Sequence, residues 1–252
     1  MNMVLLVTMH DPKGALLTKM QEHGEQLDAY FTEKIATCSD ETPYVLQKEL
    51  QRLGFLVKVI PAKGAAFARH SLLHLADEHA QSDHFHYCDT DRLLTWLETA
   101  KEQLAAVHKT IQENDYTVIG RSEQAFRSHP ESWQQTESIV NRLFSKEMGE
   151  KYWDVTAGSC GMNIASLRTL MHENVFSMND AAWPLQVKKR SGVVGYVESD
   201  GLAYTQLNRG SEDEDGLLAW RDRLRLALGI TDSIQDVQVA ESHPGSSSHF
   251  RP

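Results

Sequence analysis

The chain has 252 residues, with 25 Lys and Arg against 35 Asp and Glu, and a formal charge of −10. A hydrophobic share of 41% with 24% charged residues is globular composition, which excludes wholesale disorder, collagen-like repeats and a disulfide scaffold. The acidic balance makes nucleic acid and anionic membrane poor partners, because a net anion is repelled by a polyanion unless a local basic patch intervenes.

The first half alternates strand-like and helix-like stretches. Met3–Met9 is a short apolar run that reads as a strand. It lacks a basic leader and is too short for a signal segment or a membrane span. A turn at Asp11-Pro12-Lys13-Gly14 leads to a helix over Ala15–Leu27, with a break marked by His23-Gly24. Glu33–Thr37 is the second strand, and Ser39 or Asp40 is placed to cap a helix over Thr42–Leu53, closed by Gly54. Phe55–Ile60 is the third strand, Ala65–Ala80 the third helix and His84–Cys88 the fourth strand. This alternation predicts right-handed βαβ units on a mostly parallel sheet with helices on both faces.

The second half is less regular. A long amphipathic helix is expected over Arg92–Glu113, then a strand at Tyr116–Ile119, a helix over Ser132–Met148 and a short strand at Trp153–Thr156. Further helices are expected at Asn163–Glu173, Trp183–Lys189 and Leu217–Leu228, with strands at Gly195–Glu198 and Leu202–Thr205. Neither a repeat nor a linker interrupts the chain, so one α/β domain is expected over residues 1–242, with 243–252 as a mobile tail. Cys38, Cys88 and Cys160 are sparse and odd in number, which suits a reducing compartment. The expectation is a soluble cytoplasmic protein without an integral membrane segment; its oligomeric state is left open.

In an open parallel sheet, ligands bind beyond the carboxyl ends of the strands. Asp89-Thr90-Asp91-Arg92 stands there, directly after the fourth strand. Two carboxylates on one loop suit a hard divalent cation, Mg²⁺ or Mn²⁺, completed by phosphate oxygens. A second acidic run, Asp213-Glu214-Asp215, has no strand before it and reads as an exposed loop with Glu212.

The segment Gly64-Ala65-Ala66-Phe67-Ala68-Arg69, a helix, and then HFHYCDTD resembles nucleotide-sugar-dependent glycosyltransferases of the GT-A fold. By that resemblance Asp89 and Asp91 would bind the sugar nucleotide and its metal, and Arg69 would lie near the nucleotide. Asn179-Asp180-Ala181-Ala182-Trp183-Pro184 is similar to the family's acidic acceptor-side motif, which would make Asp180 the general base of an inverting transfer. The resemblance implies a nucleotide-binding half over residues 1–91 and an acceptor-side half over 92–242. DTDR-L-x-x-W, I-G-R-S and D-V-T-A-G-S-x-G also resemble a narrower GT-A-like subgroup. Three departures stand out: Arg92 with a long helix directly after the D-x-D, Asn rather than a second acid before Asp180, and no basic Q-x-x-R-W-type helix after Trp183.

Each candidate has a plainer alternative. Asp180 could cap the helix before Trp183. Asp154 is a second candidate base or a turn residue, and Arg121 is a candidate phosphate or acceptor ligand. Arg69 could be a surface ion pair, and Gly158-Ser159-Cys160-Gly161 an anion-binding turn or merely a tight one. His70 with His74, and His84 with His86, lack a third metal ligand at suitable spacing. Trp96 and Trp133 read as core, and Lys188-Lys189-Arg190 as a solvated helix end. The leading function is metal-dependent transfer of a sugar from a nucleotide-diphospho-sugar to an unidentified acceptor. A non-catalytic sugar-nucleotide binder and a phosphatase or phosphotransferase using the Asp-x-Asp are the alternatives.

Overall fold

The computed structural model describes residues 2–172, 178–209 and 213–242. In chain order the elements are β1 (Val4–Met9), α1 (Leu17–His23), β2 (Glu33–Ser39), α2 (Tyr44–Arg52), β3 (Phe55–Ile60), α3 (Ala65–His79) and β4 (His84–Cys88). There follow α4 (Thr90–Thr99), α5 (Leu104–Gln112), β5 (Tyr116–Arg121), α6 (Glu123–Arg127), α7 (Glu131–Met148) and β6 (Ser159–Asn163). The chain continues through α8 (Ile164–His172), α9 (Ala182–Lys189), β7 (Val194–Ser199) and α10 (Leu217–Ser242).

The strands form one seven-stranded sheet in the order β3-β2-β1-β4-β6-β5-β7. All neighbouring pairs are parallel except those made by β6, which runs against both β4 and β5. Helices cover both faces. Alternate residues of β1 divide between two cores: Val4 and Leu6 join Leu72, Phe144 and Trp183 on one face. Leu5, Val7 and Met9 join Leu46, Leu94 and Trp96 on the other. Burial on both faces explains why β1 reads as a continuous apolar run rather than an alternating one.

The α/β architecture and the four leading strands match expectation, while the second half differs in ways the side chains explain. Residues 153–156 form no strand, because their backbone N–H groups are taken by side chains. Trp153 N–H donates to Ser145 Oγ at 2.7 Å, Val155 N–H to Asn141 Oδ1 at 2.9 Å, and Asp154 N–H to the Tyr196 hydroxyl at 3.2 Å. The strand instead forms from the small residues that follow. Gly161 in β6 leaves room for α5: a Cβ there would lie 2.2 Å from Ile111 Cγ1. The helix expected over 92–113 is two helices, broken at Ala100, whose φ of −154° leaves the helical region before a 3₁₀ turn. Pro43, rather than Ser39 or Asp40, precedes α2, and the segment expected as a strand at Leu202–Thr205 instead connects two 3₁₀ turns, Asp200–Leu202 and Gln206–Asn208. The last helix runs well past Leu228. The expected tail at 243–252, Glu173 and Glu212 lie outside the described residues. Among the described residues no helix is long and apolar enough to cross a membrane.

Candidate active site

A cleft runs over the carboxyl ends of β1–β4, where a parallel sheet leaves its loops and helix N-termini open to ligands. One cavity of about 390 Å³ lies over β1–β3 and is lined by His10, Ser39, Glu41, Pro61 and Lys63 among others. It shares Thr8, Met9 and His10 with a second cavity that reaches Asp89, Asp91 and Asn208. Asp89 and Asp91 also line a third, of about 280 Å³, with Arg69, Arg92, Trp133, Asp180 and Arg223. The three cavities therefore form one path with the Asp-x-Asp at its centre.

The two aspartates are held differently. Asp89 precedes α4 and its N–H donates to the Gly158 carbonyl at 3.0 Å. Gly158 has φ +77°, and a Cβ on it would stand 2.5 Å from Asp89 Oδ2. Glycine is thus required twice, for the left-handed backbone and for the approach of the carboxylate. The Tyr87 hydroxyl donates to Asp89 Oδ1 and lies 3.1 Å from Thr8 Oγ1. Asp91, in the first turn of α4, accepts from Asn208 Nδ2 at 2.8 Å. Asn208 is itself fixed by a capping box with Thr205.

Arg69, early in α3 and 7% exposed, ties the constellation together. Its Nε donates to the Tyr87 hydroxyl at 2.8 Å, Nη2 to Asp89 Oδ1 at 3.2 Å and Nη1 to Asp180 Oδ2 at 3.1 Å. Burial opposes the charge, yet Asp180, Tyr87 and Asp89 hold the guanidinium well above its ordinary pKa. Burial likewise drives the Tyr87 phenol well upward, so it stays protonated and donates. Asp180 precedes α9, whose cap residue is Ala181, and it makes no cap hydrogen bond there. Its carboxylate faces the cleft instead.

The donor set suits a divalent cation. Carboxylate oxygens are the ligands Mg²⁺ and Mn²⁺ prefer, and Asp89 and Asp91 border the same open cavities. They do not build a closed cage, so the remaining positions would fall to phosphate oxygens and water. The one tight trio of potential ligands among the described residues is Glu22, His23 and Glu98. Lys19 Nζ already sits 3.0 and 2.7 Å from its two glutamates, supplying the positive charge a cation would bring.

Arg121 and Asp154 are not brought to this constellation. They are 3% and 1% exposed, and they pair with each other behind the cleft wall. Arg121 Nε donates to Asp154 Oδ2 at 2.6 Å, and its Nη2 to Asp154 Oδ1 at 2.8 Å and Glu137 Oε2 at 2.7 Å. Asn141 donates to Asp154 Oδ1 at 2.8 Å. Burial raises the Asp154 carboxyl, but Arg121 and Asn141 outweigh it and bring it down to about 2. A carboxylate so held is a poor proton acceptor, and its geometry is that of a buried structural pair. Of the glycines 158 and 161, the first shapes the Asp89 site and the second the packing of α5. His70 and His74 meet only each other, Nε2 to Nε2 at 3.2 Å.

Several residues of the site have no motif to announce them. His10, Ser39 and Pro61 signal themselves only by standing where parallel strands end. Asn208, Trp133 and Arg223 come from elements far along the chain; the folded topology brings Asn208 to Asp91 and the other two to the wall of the third cavity.

No protein-family model matches the sequence, and no curated protein does. The fold does have solved counterparts. One is glucosyl-3-phosphoglycerate synthase from Mycobacterium tuberculosis in complex with Mn²⁺, UDP and phosphoglyceric acid. It is 12% identical, with a TM-score of 0.57 over 90% of this chain and 77% of that one. The same enzyme with Mn²⁺, UDP-glucose and phosphoglyceric acid is 11% identical, with a TM-score of 0.55 over 90% and 80%. At such identity the likeness establishes the fold, which is that of the GT-A-like nucleotide-sugar transferases.

Proposed function

We propose that the chain is a glycosyltransferase that takes its sugar from a nucleotide-diphospho-sugar and uses Mn²⁺ or Mg²⁺. The observation that carries this reading is the Arg69 bridge, which holds the Asp-x-Asp aspartate Asp89 and the acceptor-side aspartate Asp180 on one guanidinium. The fold and the Mn²⁺ and UDP-glucose bound by the structural neighbour support it.

In this reading residues 1–91 hold the nucleotide, with the base and ribose in the cavity over β1–β3 and the diphosphate beside Asp89 and Asp91. Asp89 and Asp91 would hold the cation, which would supply positive charge to stabilise the leaving diphosphate. Arg69 adds a fixed positive charge that needs no reorganisation as the sugar–phosphate bond breaks. Asp180 accepts the proton of the acceptor hydroxyl, the acceptor entering from the side of residues 92–242. Arg121 and Asp154 brace the wall between α7 and β5. The three cysteines are free and buried, which suits the reducing cytoplasm.

One feature favours a second reading, a sugar-nucleotide binder without transfer: Asp180 Oδ2 already accepts a hydrogen bond from Arg69 at 3.1 Å, so one of its two oxygens is engaged before any acceptor arrives. Release of nucleoside diphosphate from nucleotide sugars separates the two. The transferase reading expects Asp180→Asn to slow release at least about a hundredfold, the scale of a lost general base, with nucleotide affinity kept. Binding without any release, in the unmutated protein and across acceptors, would favour the binder.

A further inference from the structure

The third cavity has a wall that the Asp-x-Asp chemistry leaves unexplained. Arg92, one residue beyond Asp91, is 7% exposed and faces this cavity. No carboxylate lies within ion-pair distance of it among the described residues. Its Nη1 instead donates to His129 Nε2 at 3.0 Å. The tautomer of that histidine is set by its other nitrogen, which lies 2.9 Å from the Ala125 carbonyl and must donate to it. Nε2 is therefore the acceptor and His129 is neutral. A buried guanidinium paired only to a neutral group carries an unbalanced charge, which is costly unless something anionic joins it.

A second cation completes the wall. Arg223 of α10 lies over the Trp133 ring, Cζ 3.1 Å from the centroid, and Arg92 Cζ lies 5.4 Å from the same ring. The nearest carboxylate to Arg223, Glu137 Oε1, is 3.7 Å away, beyond hydrogen-bond reach. The other oxygen of Glu137 is taken by Arg121 and Thr156. Burial draws the Arg223 guanidinium down to about 10, with Arg92 and Arg121 adding repulsion against Glu137 and Glu214. The Trp133 face is thereby covered by a cation, so the ring is no stacking platform for a sugar on that side. Two planar forks sharing one cavity complement a tetrahedral or planar oxyanion.

We propose that Arg92 and Arg223 form an anion subsite that receives a phosphate or carboxylate group of the acceptor. Its identification with the acceptor rests on the transferase reading; the anion site itself rests only on the two arginines. Arg223 and Trp133 belong to α10 and α7, on the acceptor side of the cleft. The cavity of about 280 Å³ accommodates a small charged group and its neighbouring hydroxyl rather than a polymer chain.

The test is calorimetric titration with inorganic phosphate, alone and with UDP and Mn²⁺ saturating, on the unmutated protein, Arg223→Gln and Arg223→Lys. The expected result is phosphate binding that persists under saturating UDP, falls at least about tenfold in Arg223→Gln and recovers partly in Arg223→Lys. UDP affinity should stay within about twofold in both variants. Absence of phosphate binding, displacement of phosphate by UDP, or equal loss of UDP affinity in Arg223→Gln would each overturn the proposal. Circular dichroism checks the fold, and Arg223→Lys carries the comparison should Arg223→Gln not fold. Phosphate binding without any nucleotide binding would remove the transferase reading and leave the anion site standing.

Discussion

Arg69 Nη1 lies 3.1 Å from Asp180 Oδ2, joining residues 111 positions apart in the chain. The bond places the head of α3 against the segment that enters α9, and a second fork of the same guanidinium reaches Asp89. Arg69→Ala should leave two aspartates uncompensated in a shielded site. Loss of one partner of a buried pair costs about 3–5 kcal/mol, so the urea midpoint should fall markedly. Arg69→Lys keeps the charge but not the fork, and should recover stability better than nucleotide affinity.

Gly158 and Gly149 share a φ of +77°, but only Gly158 faces a neighbour that a side chain would strike. Gly149→Ala should cost about 1 kcal/mol, the backbone penalty alone. Gly158→Ala should cost that and also push Asp89 aside, weakening Mn²⁺-dependent nucleotide binding at least about tenfold. Denaturant titration measures the first term and calorimetry the second. Equal nucleotide affinity in the two variants would remove Gly158 from the site.

Asp154 and Asp180 should respond oppositely to the same change. Asp154→Asn breaks the Arg121 pair and should lower stability by about 3–5 kcal/mol while leaving the cleft chemistry in place, whereas Asp180→Asn should abolish turnover in protein that still folds. A stable but inactive Asp154→Asn would reverse the two assignments.

Stability should fall in acid in two stages. His86 and His108 are buried against each other, Nδ1 to Nε2 at 3.2 Å. Burial pushes His86 well below its ordinary pKa, His108 down to about 4 and His129 down to about 2. Below about pH 6.5 the unfolded chain takes up protons that the folded histidines refuse, so stability decreases as pH falls, by up to about 1.4 kcal/mol per pH unit per histidine. Asp154 acts lower. Its folded pKa is depressed from 3.8 to about 2, so its contribution is present above pH 3.8 and is lost as pH falls toward 2. Urea midpoints between pH 8 and 3 should already decline below pH 6.5. A flat profile down to pH 4.5 would contradict the burial of the histidines.

Much of the fold was legible because its first half obeys simple rules. β3 and β4 fall where the apolar runs at Phe55–Ile60 and His84–Cys88 placed them, and Asp89 follows as the first residue beyond the sheet. The interior strand β6 was not legible, since Ser159-Cys160-Gly161 lacks strand formers and Gly161 stands where a side chain would strike Ile111. The reverse error arose at Trp153–Thr156, where strand-forming residues give their N–H groups to Ser145, Asn141 and Tyr196. Charge alone misleads in the same way: Arg121 and Asp154 look like ligands until burial shows that they face each other. Arg69, Asp89 and Asp180 were recognisable from local motifs, but their convergence on one guanidinium is a property of the folded chain.

The most direct test of the central claim is a thermal-unfolding screen of nucleoside diphosphates and their sugars, with and without Mn²⁺, on the unmutated protein and Asp91→Asn. Asparagine keeps the shape of the residue and its contact with Asn208 but removes the charge. The account predicts that at least one nucleotide raises the melting temperature only with Mn²⁺, by the several degrees that binding at about 100 times Kd produces. Asp91→Asn should lose most of that rise. No shift with any nucleotide, or an undiminished shift in Asp91→Asn, would contradict it.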